Sequence, residues 1–191
     1  MKGYIEVYTG DGKGKTTAAI GLAVRAVGAG KKVCFIQFMK SMAYSEQKIL
    51  QQLPGLKLIT LGKPYFIAKE GMLSEEEIKA WGSALRVYPA GYPPKEYRDM
   101  VLKGIEDAVK AVSKGYDLVV LDEYNMAYWY DLATEEDTKR ILAARNPDCE
   151  LVFTGRNAPK IILDAADLIT EMKKVRHYYD AGVMCRKGIE N

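Results

Sequence analysis

Thr9-Gly10-Asp11-Gly12-Lys13-Gly14-Lys15-Thr16-Thr17 separates two segments of different period, and that junction decides the fold. Before it, YIEVY (Tyr4 to Tyr8) is a β-branched and aromatic run that reads as a strand. After it, TTAAIGLAVRAVGAG is an Ala-rich helical stretch ending in Gly28 and Gly30. Glycine near a helix end commonly supplies the left-handed closing residue. A strand, a loop with three glycines and a helix opened by Gly-Lys-Thr form a phosphate-binding loop. The glycines let the backbone curl until several N–H groups converge on phosphate oxygens. The helix N-terminus adds a partial positive charge and Lys15 a full one. Thr16 offers its hydroxyl to Mg²⁺. One position departs from the strict pattern: Thr9 stands where a glycine is asked for, and Gly10 follows one residue later.

Outward from the loop, strand-like and helix-like segments alternate. KVCFIQF (Lys32 to Phe38) is apolar almost throughout, as in a strand covered on both faces. LKLITL (Leu56 to Leu61) is a third strand. Ser74 and Glu77 form a capping box that opens a helix with Ile78, Trp81 and Leu85 on one face. Past Pro93 and Pro94 a longer helix carries Tyr97, Val101, Ile105, Ala108 and Val112. DLVVLDE (Asp117 to Glu123) is a buried strand, Thr134 to Ala144 a helix, and CELVFTG (Cys149 to Gly155) a strand. Pro159 to Ala166 is a short helix and LITEM (Leu168 to Met172) a last strand. The alternation implies an α/β fold: a mostly parallel sheet flanked by helices, with right-handed crossovers. No repeat, low-complexity tract or linker divides residues 1–191, so one nucleotide-binding domain is expected.

Composition narrows the partners. The 191 residues carry 48% hydrophobic and 28% charged side chains, a globular profile. A formal net charge of +3 is too small to argue for nucleic acid or an anionic membrane. No run approaches the ~18 apolar residues needed to span a bilayer, and the first residues enter a strand without room for a signal peptide. Cys34, Cys149 and Cys185 form no CxxC pair, and their odd number argues against a disulfide framework. A reducing, cytoplasmic location is the expectation.

A phosphate loop of this kind is completed by an acid at the end of a later strand. Asp122 and Glu123 follow LVVL and fill that role. Asp122 is expected to hold Mg²⁺, directly or through water, and Glu123 to orient ligand, metal or water.

YTGDGKGKTTAA, Arg25 in AVRAVGAGKKV, IQFMK, LVVLDE, FTGRNAP and HYYDAGVMCRKGIE occur together and in this order. In this the chain resembles the P-loop type of ATP:cob(I)alamin (corrinoid) adenosyltransferases, which have a RecA-like fold, over nearly its whole length. The resemblance implies transfer of the 5′-deoxyadenosyl group of ATP to the Co(I) of a corrinoid, with release of triphosphate. It also implies a homodimer and a flavoprotein reductant. By the same carry-over, Lys15 and Arg25 contact phosphates, Glu123 approaches ribose or metal, and Arg156 and Asn157 lie near the nucleotide. His177, the only histidine, is expected to be structural.

The family seats aromatic residues beneath the corrin, usually Phe and Trp two apart after a glycine. Here Gly62-Lys63-Pro64-Tyr65-Phe66 has no Trp at that place. Tyr65 and Phe66 are the candidates, with Trp81 in reserve although its spacing favours the core. The segment from Phe66 to Asp122 is longer than usual, and the N-terminal helical extension of some members is missing. Residues Lys69 to Pro94 are therefore expected to cover the corrinoid instead. In IQFMKSMAYSEQ, Ser41 and Ser45 replace commoner glycines near Glu46. Two rival readings are a kinase or NTPase cleaving at the γ-phosphate and a binding protein without catalysis.

Overall fold

The computed structural model describes residues 2–41 and 44–190. Six strands form one sheet in which every pairing is parallel: β1 (Ile5–Thr9), β2 (Val33–Phe38), β3 (Leu56–Leu61), β6 (Leu118–Asp122), β7 (Glu150–Thr154) and β8 (Leu168–Glu171). Their order is β3-β2-β6-β7-β1-β8. β7 thus separates the strand that leads into the phosphate loop from the strand that ends in Asp122. The parallel sheet flanked by helices is what the alternation leads one to expect, and a RecA-like fold is what the resemblance implies.

Period 2 along the strands sorts the core into two faces. Cys34, Ile36 and Phe38 of β2 and Val119 and Leu121 of β6 face the helices α4 (Lys95–Ser113), α5 (Tyr124–Trp129), α6 (Glu135–Ala144) and α7 (Lys160–Ala165). Val33, Phe35, Leu118, Val120 and Val152 face α1 (Lys15–Gly28), which buries Ala19, Ala23 and Ala26 against them. Small residues let α1 sit close to the sheet. α4 approaches as closely on the other face: a Cβ on Gly104 would fall 2.1 Å from Leu61 Cδ1.

The expected helix with Ile78, Trp81 and Leu85 on one face is corrected. α3 covers only Glu75–Trp81, opened by the Ser74–Glu77 box, and Gly82 with φ 52° ends it. Leu85 instead begins β5 (Leu85–Tyr88), which pairs in parallel with β4 (Phe66–Lys69) in a separate two-stranded sheet. Two short helices also went unread, α2 (Ser45–Leu50) and α5. The miss has a simple cause. Four-residue strands and six-residue helices are shorter than the window in which period 2 and period 3.6 separate. Thr134, by contrast, is seen capping α6, accepting from the Asp137 N–H.

The small sheet is tied down at its C-terminal side. The Tyr88 hydroxyl donates to the Tyr130 carbonyl at 2.6 Å, Lys69 Nζ lies 3.0 Å from Asp131 Oδ1, and the Gly91 N–H donates to Asp131 Oδ2. All three bonds reach the turn that ends α5, the helix that starts directly after Glu123. The insert is therefore anchored to the acid-bearing strand.

Candidate active site

The phosphate loop leaves β1 at Thr9 and is held against the exit of β8. The Met172 N–H donates to the Thr9 carbonyl at 2.8 Å, and the Gly12 N–H donates to the Met172 carbonyl at 2.6 Å. Thr9 is thus the last strand residue, and Gly10 (φ 93°) makes the left-handed turn that a loop glycine must make. The departure at Thr9 shifts the first glycine by one position without removing its function. A Cβ on Gly12 would fall 2.7 Å from the Met172 carbonyl oxygen, so that position also demands glycine. Gly14 (φ 119°) caps α1 and Lys15 opens it.

Lys15 Nζ donates to the carbonyls of Gly10 and Gly12, each at 2.7 Å, and so braces the loop from inside. Burial lowers its pKa, opposed by the charge of Glu123. Thr16 Oγ1 donates to Asp122 Oδ1 at 2.8 Å. Asp122 is fully buried, and four donors converge on its carboxylate: Thr16, Thr154 Oγ1 at 2.6 Å, Gln37 Nε2 at 3.2 Å and Lys40 Nζ at 2.8 Å. The sheet register brings this about. Gln37 and Asp122 are direct partners across β2 and β6, and Thr154 is the residue after the Leu121–Phe153 pair of β6 and β7. All three lie on the α1 face at the carboxyl ends of the strands, where open α/β sheets bind ligands. Gln47 extends the network by donating to Gln37 Oε1 at 2.8 Å and to the Ser41 carbonyl.

Lys40 was quoted in the sequence without a role. Burial alone would lower its pKa, but the charge and hydrogen bond of Asp122 outweigh it and hold the pKa up. Glu123, in the left-handed region at φ 58°, has its pKa raised by burial and then by Asp122. The site therefore holds one carboxylate clamped by donors beside a second that resists ionisation.

The loop, Lys40, Tyr44, Glu46, Glu123 and Arg156 line a cavity of about 660 Å³. Its remaining wall is the C-terminal segment, with His177, Gly188, Ile189 and Glu190. Arg186 and the Tyr178 hydroxyl both bond the Glu190 carboxylate, and they lower its pKa to about 2. A second cavity, about 480 Å³, adjoins Asp11, Arg156, His177 and Tyr179. His177 Nδ1 accepts from the Tyr179 N–H, and the ring packs at a tilt against Tyr178, 4.7 Å between centroids. It thus lies in the wall of both cavities.

Two expected site residues stand apart. Arg25 is exposed in the last turn of α1, about 15 Å of helix rise beyond Lys15. It lines a different cavity with Lys2, Glu6 and Asp148. Asn157 is exposed next to Arg156, with φ 53°. Tyr65 and Phe66 belong to the two-stranded unit. Tyr65 packs edge-on against Tyr97, under the Arg86 guanidinium, and Phe66 is 57% exposed with Trp81 at 4.7 Å between ring centroids. Trp81 is 45% exposed, which corrects its expected core role. In IQFMKSMAYSEQ, residues 42 and 43 lie outside the described residues, while Tyr44, Ser45 and Glu46 enter the cavity wall.

Mg²⁺ suits the donors present. Thr16 in the cavity wall and Asp122 bonded behind it offer hard oxygen ligands, and Mg²⁺ is usually held by one or two protein oxygens plus substrate phosphates. Among the described residues no group of three or more His, Cys, Asp and Glu side chains gathers as a metal site, nor is any helix long and apolar enough to cross a membrane.

Sheet order, loop and strand-end acid define a P-loop nucleotide-binding protein. A family model described as "ATP:corrinoid adenosyltransferase BtuR/CobO/CobP" matches residues 1–191. The corrinoid adenosyltransferase CobA of Salmonella typhimurium is 32% identical over 189 residues, covering 99% of this chain and 86% of that protein. The corrinoid adenosyltransferase of Escherichia coli K12 is 30% identical over 191 residues, with the same coverage. That of a Sinorhizobium species is 31% identical, covering 99% and 80%. The chain belongs to the ATP:corrinoid adenosyltransferase family. Among solved structures, the RadB recombinase overlaps 92% of this chain and 77% of its own, at a TM-score of 0.45 and 14% identity, too loose a likeness to add to the sheet order.

Proposed function

We propose that this chain binds ATP in the loop cavity and transfers its 5′-deoxyadenosyl group to the Co(I) of a corrinoid, releasing triphosphate. The observation that carries the reading is the cavity lined by Lys15 and Thr16, with Asp122 bonded to Thr16 directly behind its wall. Co(I) is itself a strong nucleophile, so attack on the ribose C5′ requires no general base. The protein's tasks are to position the two substrates and to stabilise the charge that develops on the leaving triphosphate. Lys15, the loop N–H groups from Lys13 to Thr17 and Arg156 do this from the walls. Thr16 and Asp122 would hold Mg²⁺, which neutralises phosphate charge when bound. Glu123, in the cavity wall, is suited to hydrogen-bond a ribose hydroxyl.

Phe66 and Trp81 give the small sheet an exposed aromatic face. In this reading Tyr65, Phe66 and the segment Lys69 to Pro94 contact the corrin. A homodimer, a reduced flavoprotein as electron donor and a cytoplasmic location complete the proposal, on the family's pattern.

The test is an anaerobic incubation with Mg-ATP and chemically reduced cob(I)alamin, followed by the cobalt spectrum and by identification of the phosphate product. Light-sensitive adenosylcobalamin with triphosphate is expected. ADP with inorganic phosphate and unchanged cobalamin would instead mean attack at the γ-phosphate.

A further inference from the structure

Lys40 occupies an unusual place. Its ammonium lies 2.8 Å from Asp122 Oδ2 and 3.2 Å from Thr16 Oγ1, between the two side chains best suited to a divalent cation. Three features hold it there. The side chain is only 12% exposed, and the Tyr44 ring centroid lies 5.3 Å from Nζ. The turn after β3 also presses on the backbone that carries Lys40, since a Cβ on Gly62 would fall 2.2 Å from the Lys40 carbonyl carbon. Mg²⁺ needs near-octahedral oxygens at about 2.0–2.1 Å. An ammonium already bonded to both side chains takes up that space, and its charge repels a second cation at such short range.

We propose that Lys40 is a resident counter-ion that closes the Thr16–Asp122 pair to free divalent metal and yields it only when the metal arrives with nucleotide. This deepens the reading of the loop as an ATP site and rests on it. The triphosphate provides the exchange: once displaced from Asp122, the ammonium remains in the wall of the same cavity, where phosphate oxygens replace the carboxylate as acceptors. Lys40 is thus a positioning residue that makes metal entry conditional on substrate. Without it, the four-donor clamp on Asp122 would lose its one full charge, and the pair would be open to metal alone.

Mn²⁺ serves as the probe, with its free concentration read by electron paramagnetic resonance in the absence of nucleotide. Wild type is expected to bind Mn²⁺ weakly and Lys40→Met about tenfold more tightly. In the presence of ATP the difference should shrink, because the phosphates then provide ligands in both proteins. Lys40→Gln, which keeps a donor for Asp122 but no charge, is the second variant should Lys40→Met fail to fold, and it too should bind Mn²⁺ more tightly than wild type. Melting temperature gives an independent readout: Mn²⁺ without nucleotide should raise it more in the variant than in wild type. Equal Mn²⁺ affinities in wild type and a folded variant, or tight Mn²⁺ binding by wild type alone, would overturn the proposal. Because this titration contains neither ATP nor corrinoid, it fails separately from the transfer reaction. Equal affinities alongside normal adenosylcobalamin formation sink only the counter-ion, whereas ADP formation sinks the transferase reading.

Discussion

The phosphate-loop end of the large sheet and the β4–α3–β5 insert are built on opposite principles. At the loop, the acid and the lysine are held by dense hydrogen bonding. Asp122 accepts from four donors, Lys15 is bonded to two carbonyls, and Gly10 and Gly12 are in contact with the end of β8. In the insert the apolar face is left open, with Phe66 and Trp81 exposed and no residue of α3 buried. The first region resembles a preorganised charge trap, whose geometry must be right before the ligand arrives. The second resembles a contact face that gains its burial only from something docking on it. The comparison teaches that one chain can join a densely bonded polar site to an open apolar face through the Tyr88–Tyr130 and Lys69–Asp131 bonds, and the proposed function divides the two substrates between them.

The largest effect should come from the polar side. Lys15→Ala removes both the brace of the loop and a phosphate contact. The rate of adenosyl transfer is expected to fall by about 10²–10³, the scale of losing one preorganised charge donor, with ATP affinity reduced in equilibrium binding. Retention of full activity would remove the loop from the mechanism.

The aromatic side is tested by Phe66→Ala. With ATP affinity unchanged, transfer starting from Co(II) corrinoid should drop about tenfold, roughly 1.4 kcal/mol of barrier. With cob(I)alamin supplied already reduced, the loss should be much smaller. An equal loss in both assays would mean that Phe66 only packs.

The link between the regions is tested by Tyr88→Phe. It deletes one hydrogen bond to the Tyr130 carbonyl and should cost about 1 kcal/mol of stability in chemical denaturation, leaving ATP binding intact.

The smallest effect sharpens the polar site. Glu123 has a raised pKa in the folded chain, so the folded state keeps its proton longer than the unfolded one. Stability is therefore lost as pH rises from the unfolded pKa through the folded one. Glu123→Gln carries no such penalty. Its ligand-free melting temperature should exceed that of wild type on the alkaline side, and the gap should close as pH falls toward the ordinary carboxylate range. A gap that widens in acid would reverse the assignment.

The parts legible in the sequence are those with a local cause. The Gly-rich turn between a strand and a helix, the Ser74–Glu77 cap, and the apolar runs of β2, β6 and β7 each announce themselves within a few residues. Trp81 shows the opposite case. Its spacing with Ile78 and Leu85 looks like a helix face, yet the glycine at position 82 breaks the helix and Leu85 enters a strand. Arg25 matched a motif, but the axial rise of α1 carries it away from the loop.

By itself, then, the sequence determined that a phosphate loop opens the first helix, that parallel strands follow, and that an acid pair ends a buried strand. Backbone conformation and side-chain period depend on neighbouring residues, so local sequence is enough for these. Only the tertiary structure decided that Gln37, Thr154 and Lys40 would converge on Asp122, and that Gly188 to Glu190 would return across the cavity. Those meetings depend on strand order and register between segments as much as 179 residues apart, from Asp11 to Glu190, and no local pattern encodes that pairing.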